Sequence, residues 1–336
     1  MFSQEDMIGL LLDVLAGKDV RADIAYSMGE LSSPRAVLPL IEALDDPDED
    51  VRRNSVFALG KIRDKRAVPG LIEKLKDSDD GFRWGIVRTL GQIADPLAVD
   101  ALIRCLKDKS QRVRVRTAEA IGMLGDKKAV RPLMETANFD TDELVRVWAN
   151  FALVKLGQNE KLNPVLMALQ NRDPMVRFNA AGALGKLALS SSIQYLTRAS
   201  KDPDKRVRYR VALSLGQIKD MDVVDCLLQM LEDEDEQVRY SAAESLGRVG
   251  HPRTLNHLTK ALEDESSQVR FFSAKALCNF EGREILMSLK KALAKEDEVW
   301  LKENLRDLIT SIEEKQVLKT SIEEILNKFY EIVKKK

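Results

Sequence analysis

Aromatic and arginine side chains recur along this chain at a nearly constant spacing, and their chemistry is that of recognition. One series of positions advances by 31 residues per step, with one step of 32, and five of its seven residues are aromatic: Trp84, Phe178, Tyr209, Tyr240 and Phe271, with Val115 and Val147 at the other two. Aromatic rings and arginines are the side chains that protein interfaces favour. Aromatic rings interleaved with arginine also suit stacked bases and phosphates. The pattern therefore predicts a binding surface and leaves the kind of partner open.

Residues suited to catalysis are sparse by comparison. The chain has only two histidines, His251 and His257, and neither has metal-ligand spacing; His251 precedes Pro252 and is interpreted as a turn residue. No glycine-rich phosphate loop and no Gly-x-Ser-x-Gly motif occur, and no cysteine has a plausible histidine partner. We therefore expect a protein that is not an enzyme and has no cofactor.

The aromatic series belongs to a longer repeated phrase, Val-Arg-x-x-(Ala/Ser)-(Ala/Val)-x-(Ala/Ser)-Leu-Gly-x-(Ile/Val/Leu). It starts at Val20, Val51, Phe82, Val113, Val145, Val176, Val207, Val238 and Val269, and Trp300 marks a degraded tenth copy. Repetition at this period is typical of stacked supersecondary units. Each copy has helical periodicity, and a second amphipathic helix lies between successive copies. No β-alternating segment appears, so the prediction is an all-α fold of about ten helix pairs.

The two ends of the chain carry their own helix signals. A first helix is predicted from Ser3 to about Leu15, with a cap at Ser3. Residues 1–312 are predicted to form the repeat domain. Residues 313–336 include Ser321 and Glu324 in a capping-box spacing and one apolar stripe, so they predict an amphipathic helix in the same structural unit. This helix either covers the open end of the repeat array or docks a partner.

With its phrase recurring over roughly residues 4 to 311, the chain resembles HEAT-repeat proteins of the short bacterial and archaeal, phycobilisome-lyase-like kind. The resemblance implies an α-solenoid wound as a right-handed superhelix, with the phrase helices along its concave side. It also raises two enzymatic alternatives, a DNA-glycosylase-like activity and a bilin-lyase-like activity. HEAT-like deoxyhypusine hydroxylases need several His-Glu pairs, which this chain lacks. A fold by itself does not define the chemistry.

Two positions of the phrase are predicted to be structural. The glycine nine residues after the first Val or Phe stands inside a helix, where it costs about 1 kcal/mol relative to alanine, so it indicates close helix contact. In HEAT-like repeats the arginine that follows the Val typically pairs with an aspartate of the adjoining unit. We therefore expect these arginines to form a ladder of ion pairs rather than ligand contacts.

The variable third, fourth and seventh positions of the phrase are predicted to face the concave groove. They hold ten of the aromatic residues, of which the chain has 3 Trp, 5 Tyr and 10 Phe. The alternative is that some of these rings only cover the seam between adjacent helices. The predicted groove residues are Tyr26, Phe57, Trp84, Arg88, Arg116, Trp148, Phe151, Phe178, Tyr209, Arg210, Tyr240, Phe271 and Phe272.

Bulk composition favours a protein or peptide partner over nucleic acid. The chain has 53 Lys and Arg against 54 Asp and Glu, whereas a dedicated nucleic-acid binder usually has a basic excess. Nucleic acid remains the alternative partner because arginines flank the rings. Because no long apolar run or leader segment is present, we expect a cytoplasmic protein that does not enter membranes. We expect it to be either a monomer or a component of a larger complex. The three cysteines are expected to be small buried hydrophobes.

Overall fold

The computed structural model describes residues 20–77 and 79–315. The predicted helix from Ser3 to Leu15 lies outside these residues, as does most of the predicted segment 313–336. Every regular element in the described ranges is helical, without a β-strand, which confirms the all-α prediction. The chain divides into two compact units, Met1–Ala168 and Leu169–Lys336.

The first unit consists of alternating phrase helices and connecting helices. In chain order they are α1 (Arg21–Leu31), α2 (Val37–Glu42), α3 (Glu49–Ile62), α4 (Val68–Lys74), α5 (Asp80–Ile93), α6 (Val99–Cys105), α7 (Gln111–Leu124), α8 (Val130–Phe139), α9 (Glu143–Lys155) and α10 (Leu162–Met167). Odd-numbered helices carry the phrase. Each described connecting helix of this unit begins after a short 3-10 turn, such as Pro34–Ala36 before α2.

The second unit continues the same alternation. Its helices are α11 (Pro174–Leu187), α12 (Ile193–Ala199), α13 (Lys205–Ile218), α14 (Val224–Met230), α15 (Glu236–Val249), α16 (Leu255–Lys260), α17 (Ser267–Leu277), α18 (Arg283–Lys295) and α19, whose described part is 299–315. Within each unit successive phrase helices pack side by side, and the connecting helices form a second layer against them. This arrangement confirms the predicted helix pairs.

Aspartate caps determine where most phrase helices begin. The carboxylate of Asp48 accepts hydrogen bonds from the backbone N–H groups of Asp50 and Val51, and Asp235 caps α15 through the N–H of Gln237. These bonds satisfy donors that the first turn of a helix leaves free. His251 has the same role in the turn after α15, where its Nδ1 accepts from the N–H of Arg253 at 3.1 Å. Its interpretation as a turn residue is confirmed.

The recurring glycine marks the closest approach of neighbouring phrase helices. A Cβ added to Gly91 would lie 2.9 Å from the Cβ and 3.3 Å from the Cα of Ala120, on the next phrase helix. At Gly29 the added atom would lie 2.7 Å from the Cα of Ala58. Since side chains at these positions would overlap the adjacent backbone, the prediction of close helix contact is confirmed.

The predicted arginine ladder is also present. In one rung Nε and Nη2 of Arg239 donate to the two carboxylate oxygens of Asp264, each at 2.9 Å, while Nη1 donates to the carbonyl oxygen of Asp233 at 2.9 Å. The carboxylate of Asp264 also accepts from the N–H of Ser266 at 2.8 Å, which orders the turn. The other carboxylate rungs are Arg21–Asp46, Arg83–Asp108, Arg114–Asp140, Arg177–Asp202, Arg208–Asp233 and Arg270–Glu296.

Two arginines of the ladder position have different partners. Arg52 donates to the carbonyl of Asp46 and lies over the ring of Phe82, 5.8 Å from its centroid. Arg146 donates to the carbonyl of Asp140 and pairs with Glu143 of its own helix at 3.1 Å. The backbone contact is therefore shared by both kinds of rung, whereas the carboxylate partner varies.

The cysteines fit the prediction of small buried residues at two of three positions. Cys105 and Cys226 are buried, whereas Cys278 is half-buried. Burial raises the pKa of the Cys105 thiol to about 11, and the nearby charge of Asp108 adds to this. The thiol therefore stays protonated at neutral pH, which makes it a poor nucleophile.

Candidate binding surface on the phrase helices

Most phrase helices have one buried side and one open side. On α15 the side chains of Val238, Ala242 and Leu246 are fully buried, while Tyr240 and Glu244 are half-buried. The third and seventh positions of the phrase thus face away from the apolar core in this helix, whereas Ser241 at the fourth position is fully buried. Most of the predicted groove residues lie on this open side.

The second unit carries the longest series of ring contacts, which we call the second-unit row. It consists of Tyr209, Tyr240, Phe271, Phe272 and Trp300, from four successive phrase helices, and each side chain is half-buried. The centroid distances along the row are 6.2 Å, 5.1 Å, 5.3 Å and 5.6 Å. The rings are therefore held by one another while part of each surface stays open.

The Tyr240 phenol, between Tyr209 and Phe272 in the row, remains neutral at ordinary pH. Burial raises the pKa of Tyr240 above its usual value, and neighbouring Tyr209 and Glu236 add to the effect. A neutral phenol offers an apolar face together with a hydrogen-bond donor, a combination common at protein interfaces. Tyr240 is the row's most suitable anchor.

Arg210 lies beside this row and stacks on Phe178, with its guanidinium carbon 4.3 Å from the ring centroid. Its Nε–H is buried and finds no acceptor among the described residues, and no described carboxylate pairs with it. Burial lowers the pKa of this guanidinium from its ordinary value. An incoming anion would relieve this unfavourable environment, because it would return to the cation the stabilisation that burial removes.

The first unit has a separate group of predicted groove residues, and it is made of pairs rather than one row. Tyr26 stacks on Phe57 with centroids 5.3 Å apart and planes at 4°. Trp84 lies against two arginines, with Arg116 at 4.8 Å and Arg88 at 5.8 Å from the ring centroid. Tyr26 and Arg88 are exposed, and the other three are half-buried.

The two arginines beside Trp84 differ in charge balance. Arg116 pairs with the buried carboxylate of Glu119 at 2.5 Å, and burial lowers the pKa of the guanidinium, opposed by the charge of Glu119. Arg88 is exposed and, in the described part of the chain, forms no ion pair. Arg88 is thus the cation on this surface that is available to an anion from outside.

The placement of Trp148 and Phe151 in the groove is wrong. Trp148 is 6% exposed and Phe151 is 1% exposed, and their rings contact edge to face with centroids 5.2 Å apart. Phe151 fills the space beside Gly122, where an added Cβ would lie 3.4 Å from its ring. Both rings are therefore part of the core of this repeat, which is the seam-covering alternative for these two residues.

A small pocket between α3 and α5 was not predicted. It has a volume of about 180 Å³, and its lining includes Phe57 and Trp84 as well as Gly81 and Gly85. The sequence feature that indicates this pocket is Gly85 at the fourth position of the phrase, where other copies have larger residues such as Arg116 or Phe272. The sequence likewise marks Trp300 only as the start of the tenth copy, whereas its ring extends the second-unit row.

A second, larger cavity lies away from the rings and is lined mostly by charged and polar residues. It has a volume of about 860 Å³, and its lining residues come mainly from α16, α18 and the turns that follow them. Its charges pair with one another: Arg270 with Glu296 at 2.8 Å, and Lys295 with Glu263 at 3.0 Å. Mutual pairing leaves little charge free for a ligand.

Within residues 20–77 and 79–315, no group of three or more His, Cys, Asp and Glu side chains is arranged to hold a metal ion. In the same ranges no helix combines the length and apolarity needed to cross a membrane.

Paired helices in two layers, repeated with an arginine ladder, define an α-solenoid repeat protein. The family profile of HEAT repeats matches residues 9–83, 68–154, 137–203 and 198–278, which is more than half of the chain. The chain therefore belongs to the HEAT-repeat family, as the sequence resemblance predicts. A search of curated proteins gave no significant match.

Solved structures with a similar fold include proteins of several kinds. Human deoxyhypusine hydroxylase in complex with glycerol is 21% identical, with a TM-score of 0.39 over 75% of this chain and 98% of that chain. The complex of CpcE and CpcF of phycocyanin lyase from Nostoc sp. PCC7120 is 21% identical, with a TM-score of 0.44 over 82% of this chain and 94% of that one. An engineered protein is 18% identical, with a TM-score of 0.40 over 93% and 99%. At these identities the likeness concerns the fold alone.

Proposed function

We propose that this HEAT-repeat protein is a non-enzymatic scaffold that binds a protein or peptide on the open side of its phrase helices. The second-unit row is the observation that carries the proposal. Its rings are half-exposed and already ordered by ring-to-ring contacts. Binding on them would require little further loss of side-chain freedom, which is one of the main costs of association.

The chemistry beside the row favours a partner segment that is both apolar and acidic. Aromatic side chains supply most of the binding energy at many interfaces. Arg210 adds a cation that is stacked on Phe178 and has no described carboxylate partner. A carboxylate on the bound segment would form a charge-assisted hydrogen bond there and so determine its register.

Nucleic-acid binding is the second candidate, because arginine-on-ring pairs also suit bases and phosphates. Arg210 on Phe178 and Arg116 on Trp84 are two such pairs. Near-equal numbers of acidic and basic residues favour the protein partner. The two candidates differ in salt dependence, since nucleic-acid binding weakens steeply with ionic strength through counterion release.

A comparison of variants tests the proposal. Tyr240→Ala removes the ring of the row that contacts both Tyr209 and Phe272, and Tyr195→Ala removes a half-buried ring from connecting helix α12 as a matched control. We expect Tyr195→Ala to capture the same partners from cell extract as the wild type. For a partner so identified, Tyr240→Ala should weaken binding about 30-fold, the effect of a hot-spot residue worth about 2 kcal/mol.

The outcomes separate the candidates. Equal binding by Tyr240→Ala and Tyr195→Ala, with both variants folded by circular dichroism, would contradict binding through the row. Capture that disappears after nuclease treatment, together with a steep fall in affinity between low and moderate salt, would instead favour the nucleic-acid candidate.

A further inference from the structure

The pocket between α3 and α5 has the features of a receptor for a single side chain. Its walls include the rings of Phe57 and Trp84, and Val56 is among its apolar lining residues. Its volume of about 180 Å³ is below the roughly 300–1,000 Å³ typical of small-molecule and cofactor sites. The size therefore suits one large side chain better than a cofactor.

Two glycines one helical turn apart keep this pocket open. A Cβ added to Gly85 would lie 3.6 Å from Cγ1 of Val56, which is ordinary contact, so packing does not require glycine there. At Gly81 the nearest neighbour of an added Cβ is the carboxylate of Asp79, at 3.3 Å. Gly85 thus differs from Gly91 of the same helix, whose added Cβ would overlap Ala120. Glycine destabilises a helix interior. At Gly85 the missing side chain leaves the pocket open, and this accounts for the presence of glycine there.

The charges around the pocket are balanced except at one point. Arg53 pairs with Asp79 at 2.9 Å and with Glu49, so its charge is neutralised within the protein. Thr89, which also lines the pocket, donates its hydroxyl to the carbonyl of Val56 at 3.0 Å. Arg88 stands at the pocket and contacts the Trp84 ring, without a carboxylate partner in the described ranges.

We propose that this pocket binds an aromatic side chain of a partner polypeptide, with a neighbouring carboxylate of that polypeptide on Arg88. A ring between Phe57 and Trp84 would gain the edge and face contacts that aromatic groups prefer. The carboxylate would pair with an exposed guanidinium that already lies against Trp84. This site deepens the proposed function by naming partner chemistry for the first unit, and it uses no residue of the second-unit row.

Short peptides provide a direct test of the site. The full chain is labelled with fluorotryptophan, and its 3 tryptophans give fluorine NMR signals, with the Trp84 signal assigned by Trp84→Phe. The probes are the capped tetrapeptides Gly-Phe-Asp-Gly, Gly-Phe-Asn-Gly and Gly-Ala-Asp-Gly. We expect Gly-Phe-Asp-Gly to shift the Trp84 signal saturably and to leave the Trp148 signal unchanged. Replacing either Phe or Asp in the peptide should weaken binding on the order of tenfold.

Three variants complete the experiment. Gly85→Leu should fill the pocket from within and abolish the shift, while Arg88→Gln should raise the Kd about tenfold for the Asp peptide only. Arg131→Gln, whose exposed side chain lies on α8, is the control for loss of one positive charge and should bind like the wild type. If Gly85→Leu does not fold, the Arg88→Gln comparison and the three peptides still decide the matter.

The opposite results would overturn the inference. These are a Trp84 signal that no peptide moves, equal binding of the Asp and Asn peptides, or unchanged binding by folded Gly85→Leu. Tyr240→Ala should leave the peptide-induced shift intact. Full partner binding by Tyr240→Ala would contradict the proposed function alone, whereas a Trp84 signal that no peptide moves in the wild type would contradict the pocket alone, so the two failures can be told apart.

Discussion

Substituting alanine at two glycines of helix α5 should affect stability unequally. Gly85→Ala places a Cβ no closer than 3.6 Å to its nearest neighbour, so the variant should gain helix propensity of up to about 1 kcal/mol. Gly91→Ala gains the same propensity but places its Cβ 2.9 Å from that of Ala120. Overpacking of this kind costs about 1–3 kcal/mol. Because the propensity gain is common to both variants, their difference of about 1–3 kcal/mol isolates the packing cost.

Urea unfolding followed by far-ultraviolet circular dichroism measures this difference. The free energies of unfolding are compared at equal m-value, and tryptophan fluorescence must give a coincident transition because long repeat arrays can unfold in more than one step. We expect Gly85→Ala to unfold at higher urea than the wild type and Gly91→Ala at lower urea than Gly85→Ala. A Gly91→Ala variant as stable as Gly85→Ala would refute the argument that close helix approach excludes a side chain there.

Two further predictions concern the arginine ladder. Asp264→Asn removes the charged partner of Arg239, which is 7% exposed, so it should lower the free energy of unfolding by about 2–4 kcal/mol. The control Glu265→Gln, at a carboxylate that is 86% exposed, should change the free energy of unfolding by less than about 1 kcal/mol. If urea unfolding shows the same loss for both variants, the buried Arg239–Asp264 pair contributes no more than an exposed one. Arg270 holds the pKa of Glu296 below its usual 4.5, so this carboxylate contributes stability that is present above pH 4.5 and is lost as the pH falls through the lowered pKa. The stability difference between wild type and Glu296→Gln should therefore shrink on acidification below pH 4.5, whereas a constant difference would contradict the coupling.

The ladder and the glycine contacts were predictable because the same residue type returns at the same place in many copies. A residue that recurs regardless of its neighbours indicates a requirement of the repeat itself. Arg239 and Gly91 are both of this kind, and each has the contact expected of it. Asp264 was also foreseeable, since the turn before each phrase helix commonly contains aspartate.

The binding surface was less predictable because a variable position has no such repetition. Trp148 and Tyr240 look alike in sequence, as large rings at variable positions of the phrase. Trp148 nevertheless folds into the core against Phe151, whereas Tyr240 stays half-exposed. Which way a large side chain turns depends on the free volume left by the two neighbouring helices, and this volume is not encoded in the residue's own repeat.

By itself the sequence determined the helix pairs, the repeat family and the residues that join one repeat to the next, because these follow from periodicity and recurrent residue types. Only the tertiary structure decided which rings remain open, which arginines lack a carboxylate partner and where two glycines leave a pocket. The physical reason is that burial and ion pairing depend on side chains of the neighbouring repeats. These lie about 31 residues away in the sequence, and only folding brings them into contact. Tyr240, Arg210 and Gly85 acquire their significance from those neighbours.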